Sequence, residues 1–229
     1  MRLITGKVSL PEILELSRKY QVSTTEYLAA VYLFSLMQIR QQDSKSRKEK
    51  SILRLEIPVN MRKVYPSRTM RNFSLFTSID IDLKLGNYTF SDILKKTHHS
   101  LQIQKDEKEL SRQVSRNVRG ELNPVVRIIP LFLKDLYLAQ LYSRLGERCY
   151  SGVLSNLGQI IIPERAQSRI RSFNFVLVPN NVMKKSITML SYQEEMSINI
   201  SSVIESRELE RLFFTKLVED GISVAVKEI

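Results

Sequence analysis

The sequence predicts an α/β fold in which helices pack on a mixed, largely antiparallel sheet. Three observations lead there. Helical spacing dominates the stretch up to residue 145, with two strand-like runs set into it. Short β-rich runs separated by Pro, Asn and Gly follow, and one more helix and strand close the chain. With 229 residues and 43% apolar composition, a substantial core can be buried by a single unit.

Ser9 before Pro11, Glu12, Ile13, Leu14 and Leu16 matches an N-cap, a first-turn proline and an apolar stripe, so a short helix runs to about Tyr20. Ser23 and Glu26 form a capping box. Tyr27, Leu28, Val31, Tyr32, Phe34 and Ile39 follow on nearly every face, which predicts a buried helix from Thr24. Gln41 to Lys50 holds no apolar residue and reads as a solvated basic loop, 41–50. Ile52 to Val59 and Phe73 to Leu83 alternate as strands of one sheet, covered by the Thr24 helix. Ser91 to Val118 is helical with a break near Lys105, and Leu131 to Leu145 is a further helix ended by Gly146. The β-rich runs are Gly152 to Leu157, Ile160 to Ile162, Phe173 to Val178, Ser186 to Tyr192 and Met196 to Val203. Glu205 to Glu219 then reads as a helix and Ile222 to Val226 as a last strand.

Composition narrows the function classes. A net charge of +11 attracts anions, but the Lys and Arg residues are scattered and form no RNA-recognition, zinc-finger or helix-turn-helix signature, which leaves a nucleic-acid role as the weakest reading. No apolar run reaches the roughly 20 residues that span a bilayer, and the N-terminus lacks a signal-peptide pattern. Cys149 has no second cysteine to pair with and reads as a small core residue. A reducing, cytoplasmic setting is expected.

Two motifs carry chemistry. Ile57-Pro58-Val59-Asn60-Met61-Arg62-Lys63 is followed by Tyr65-Pro66-Ser67-Arg68-Thr69-Met70-Arg71-Asn72-Phe73, and further on stands Leu154-Ser155-Asn156-Leu157-Gly158. Both resemble segments of the alcohol acetyltransferase and condensation-domain branch of the CoA-dependent acyltransferases, the chloramphenicol acetyltransferase-like superfamily. The order of elements is similar to the C-terminal half of that fold over nearly the whole chain, 1–229. The resemblance implies a C-terminal subdomain that shapes a channel for acyl-CoA and an acceptor. Its channel candidates are Arg62, Arg71, Asn72, Ser155, Asn156 and Gly158. The residues themselves leave a plainer use open: Asn72 and Asn156 suit tight turns, and Gly158 permits a positive φ.

One departure stands against the match. The family's N-terminal half supplies His-His-x-x-x-Asp-Gly, whose second histidine is the general base. Here His98-His99 continues as Ser100-Leu101-Gln102, inside a helical stretch, without the Asp-Gly or the orienting carboxylate of the family pattern. No catalytic residue is assigned, and the chain alone is expected to be inactive. A non-catalytic interaction module is the alternative. Phosphate-loop, dinucleotide, nucleophile-elbow and Cys-x-x-Cys patterns are missing from the sequence, and one cysteine with two adjacent histidines does not make a zinc site. No covalently bound cofactor is expected, acyl-CoA enters as a co-substrate, and the expected partner is an N-terminal half-domain or a second copy.

Overall fold

The computed structural model describes residues 1–42, 51–145, 149–180 and 182–228. Its strands are β1 (Arg2–Ser9), β2 (Ile52–Asn60), β3 (Ser74–Asp82), β4 (Gly152–Gln159), β5 (Lys185–Tyr192), β6 (Glu195–Ser202) and β7 (Val224–Glu228). They form one sheet in the order β3-β2-β4-β5-β6-β1-β7. β4 is parallel to both β2 and β5, and the other ladders are antiparallel. The helices are α1 (Leu10–Lys19), α2 (Thr24–Gln42), α3 (Phe90–Gln104), α4 (Glu107–Leu122), α5 (Pro124–Ile128), α6 (Leu131–Leu145), α7 (Glu164–Gln167) and α8 (Glu208–Glu219).

The core forms where α1, α2, α3 and α8 meet one face of the sheet. α2 is its axle: Tyr27 through Leu33 are buried without a break, as an all-round apolar helix requires. Each large apolar side chain buried there contributes about 1.5–3 kcal/mol. Leu53, Leu55 and Ile57 of β2 and Ile79 and Ile81 of β3 meet this layer, in the register Leu53↔Ile81, Leu55↔Ile79. The two expected strands therefore share one sheet under the Thr24 helix. At Gly152 a Cβ would stand 2.2 Å from the Tyr32 hydroxyl, so the close approach of α2 to β4 needs glycine.

Capping sets the helix boundaries. Ser23 and Glu26 exchange the two capping-box bonds, Glu26 N to Ser23 Oγ at 3.3 Å and Ser23 N to Glu26 Oε2 at 2.8 Å. Asp106 accepts from the amides of Lys108 and Glu109 and restarts the chain as α4, which fixes the break expected near Lys105. The solvated loop expected at 41–50 lies outside the described residues except for Gln41 and Gln42, which end α2. Gly146, the expected stop of α6, also lies outside them. Cys149 is half-buried and stands outside the main core.

Two expected strands are corrected. Ile160 to Ile162 is not a strand: Ile160 N still bonds Ser191 O at 2.8 Å, but the chain has left the ladder at Gln159 and runs into Pro163. Phe173 to Val178 is extended but joins no ladder, because it crosses the sheet face opposite the helices and side chains take its carbonyls. Thr188 Oγ1 and Asn199 Nδ2 donate to Phe175 O, and Ser201 Oγ donates to Leu177 O.

α6 stands apart from this packing. Leu131, Phe132, Leu136 and Tyr137 are each at least 65% exposed. Leu131, Leu138 and Tyr142 share one face of the helix, and Leu133, Leu136 and Tyr137 the opposite one.

Candidate functional site

Because β2, β4 and β5 run parallel, their C-terminal ends share one edge of the sheet, the place where open α/β sheets ordinarily bind ligands. β3 enters from the same edge, with Ser74 opposite Asn60. The N-terminus of α2 is tied there as well, since Asn156 Nδ2 donates to Thr25 Oγ1 at 3.1 Å.

The structure brings the six sequence candidates to this edge in two groups. In the first, Arg62 is a clamp: its guanidinium donates to Thr69 O at 2.9 Å and Arg71 O at 2.7 Å and lies 6.0 Å from the Phe73 ring centroid. Arg71 enters through its backbone carbonyl and is otherwise exposed. Asn72 Oδ1 accepts from Ser74 Oγ at 2.8 Å, a local bond of the kind that fixes a turn. In the second group, Asn156 Oδ1 accepts from Gly158 N at 2.8 Å, and Gly158 sits at φ 79°. That turn shifts the β4–β5 register between Asn156 and Gln159, a bulge at the rim. Asn156 faces the helix layer, whereas the buried Ser155 faces the opposite side.

Ser155 ends a row that sequence reasoning missed. Register places Thr5 opposite Asn199, Asn199 opposite Thr188 and Thr188 opposite Ser155, so four polar residues cross four strands on one face. All four are buried. Thr5 Oγ1 donates to Asn199 Oδ1 at 2.7 Å. The signal was present: Ser186 and Thr188 alternate with Ile187 and Met189, and Ser197, Asn199 and Ser201 alternate with Met196, Ile198 and Ile200. Beside the row opens a cavity of about 920 Å³ lined by Lys7, Arg171, Phe173, Tyr192 and Ser197 among others. Lys7 bonds Glu195 at 2.6 Å on its wall.

The histidine pair has a partner that its own stretch of sequence does not offer. His98 does have an orienting carboxylate, because Glu26 Oε2 lies 3.1 Å from its Nδ1. Glu26 is buried and also accepts from Ser23 N and, at 3.3 Å, from Gln102 Nε2. Burial pushes the Glu26 carboxyl up, but the Ser23 amide, His98 and the charge of Lys105 outweigh it and hold its pKa below the ordinary value. The carboxylate came from α2, 72 residues away in sequence, where the capping-box role of Glu26 explained it fully.

Among the described residues, no group of three or more His, Cys, Asp or Glu side chains is placed to hold a metal ion. No described helix is long and apolar enough to cross a membrane. No family model matches the chain, and no curated protein matches it in sequence.

Solved structures do match its shape, and they define the fold as that of condensation and acyltransferase domains. The trichothecene 15-O-acetyltransferase of Fusarium sporotrichioides superposes with a TM-score of 0.55 at 14% identity, over 96% of this chain and 46% of its own. The epimerization domain of the third module of tyrocidine synthetase B gives 0.54 at 12% identity, over 96% and 47%. A nonribosomal peptide synthetase gives 0.58 at 13% identity, over 96% of this chain and 21% of that much longer one. The chain thus spans less than half the length of these structures.

Proposed function

We propose that this chain works as the C-terminal subdomain of a CoA-dependent acyltransferase of the alcohol acetyltransferase type. It shapes one wall of the acyl-CoA and acceptor channel, and the general base comes from a companion half. The observation that carries this reading is the fold match at 96% of the chain against less than half of the matched structures. The strand-end rim with Asn156, Gly158 and the Arg62 clamp supplies the channel wall in this reading, and the basic surface attracts CoA phosphates.

The exposed α5–α6 arm gives the companion half a surface to dock on, since a helix apolar on opposite faces is normally enclosed by protein. That feature also favours the second reading, an interaction module that keeps the fold without the chemistry. The setting proposed is cytoplasmic. The reading frame immediately upstream separates the two. An in-frame His-His-x-x-x-Asp-Gly segment supports the acyltransferase, and its absence together with no binding of CoA favours the module.

A further inference from the structure

The imidazole of His98 is held by a buried carboxylate at the N-terminus of α2, the helix end that is tied to the rim of channel candidates. Glu26 follows Thr25 directly, and Thr25 is bonded by Asn156 at 3.1 Å. The Glu26 carboxylate is fixed from three sides by Ser23 N, Gln102 Nε2 and His98 Nδ1. An ionised carboxylate can only accept, so the proton of His98 resides on Nδ1 and Nε2 carries the lone pair. The His98 side chain is 30% exposed against 2% for Glu26, which leaves the ring in reach of solvent while its partner is shielded. A carboxylate that sets the tautomer and orientation of a partly exposed imidazole is the arrangement that makes histidine a general base.

We propose that His98 is a proton acceptor for ester cleavage at this rim, with Glu26 as its positioning residue. The substrates are small esters with a good leaving group. His98 Nε2 takes a proton from water as the water oxygen bonds to the acyl carbon. The tetrahedral intermediate then collapses, the bond from that carbon to the leaving oxygen breaks with its electron pair, and the imidazolium returns its proton to solvent. Such a leaving group departs unprotonated, so neither a second acid nor the companion half is needed. His99, whose ring centroid lies 5.5 Å from that of His98 in an edge-on contact, is exposed. Glu26 at the α2 N-terminus faces His98 and His99 lies beside it, while the charge of Lys105, just after α3, acts on Glu26.

The test is hydrolysis of p-nitrophenyl acetate by the purified chain, compared with free imidazole at equal concentration. The expected result is a rate above imidazole that His98→Ala reduces by about 10-fold or more, in keeping with the contribution of a positioned base, while His99→Ala retains it. His98→Gln keeps a donor for Glu26 and a folded protein, and it loses the rate equally. Glu26→Gln lowers the rate and lets the neutral His98 ring populate both tautomers, because the side chain facing Nδ1 is no longer an acceptor only. Nitrogen NMR of His98 shows a protonated Nδ1 and an unprotonated Nε2 in the neutral form. A rate no greater than imidazole, equal loss in His98→Ala and His99→Ala, or a proton on Nε2 overturns the proposal. Ester hydrolysis is read separately from acyl-CoA turnover, so this assignment and the acyltransferase reading fail independently.

Discussion

Replacing Glu210 by Gln tests how the far end of the sheet is held. Lys185, the first residue of β5, places Nζ 2.6 Å from Glu210 Oε2 in the first turn of α8 and 2.9 Å from Ser206 O. The two side chains are 7% and 4% exposed, so neither charge is well solvated. Glu210→Gln keeps the shape and leaves an ammonium buried among neutral acceptors, a change that costs about 3–5 kcal/mol. Removing both charges in Lys185→Met/Glu210→Leu is expected to be near neutral, or stabilising by about 1–4 kcal/mol. Urea unfolding measures both. With an m-value of about 2 kcal/mol/M, the single variant loses roughly 1.5–2.5 M in midpoint and the double variant regains it. Lys185 adds a pH signature: burial pulls its pKa below the ordinary 10.5 despite the attraction of Glu210. Between its folded value and 10.5 the unfolded chain binds more protons, so this group makes stability rise with pH in that window. A single variant costing under about 1 kcal/mol, or a double variant as unstable as the single, would refute the reasoning.

Two further perturbations probe the rim and the arm. Gly158→Ala forces a Cβ onto a residue at φ 79° with no neighbour within 4 Å, so the expected loss is purely conformational, about 1–2 kcal/mol in a thermal or urea melt. Phe132→Glu/Leu136→Glu places charge on two exposed positions of α6 and should leave the melting temperature within about 2 °C; the native chain is expected to bind an apolar dye and to self-associate in light scattering, and the variant to do neither. Unchanged association in that variant would place the interface elsewhere.

How much of this was legible in the sequence depends on whether the signal was local. The apolar surround of α2, the Ser23–Glu26 capping box and the alternation in β2 and β3 are local, and each element forms where they point. β1 was not expected because Arg2 to Ser9 gains its meaning only from β6 and β7, strands about 190 or more residues away that pair with it. Phe173 to Val178 has strand composition, yet whether its carbonyls meet a strand edge or the side chains of Thr188, Asn199 and Ser201 is decided by tertiary packing. At the rim, the turn roles of Asn72, Asn156 and Gly158 could be anticipated from residue type. The Arg62 clamp and the His98–Glu26 pair could not, because a long or distant partner has no fixed spacing in sequence.

The most direct test of the central claim is thiol release from acetyl-CoA with a panel of alcohols and amines. The chain is assayed alone and together with a separately expressed half that carries His-His-x-x-x-Asp-Gly. General base catalysis contributes roughly 100- to 10,000-fold, so supplying that base is expected to raise turnover by a factor in this range. Background thiol release is expected from the chain alone and turnover on mixing, reduced by Asn156→Ala. Turnover by the chain alone that disappears in His98→Ala/His99→Ala would contradict it, and would make the histidine pair the acyl-transfer site.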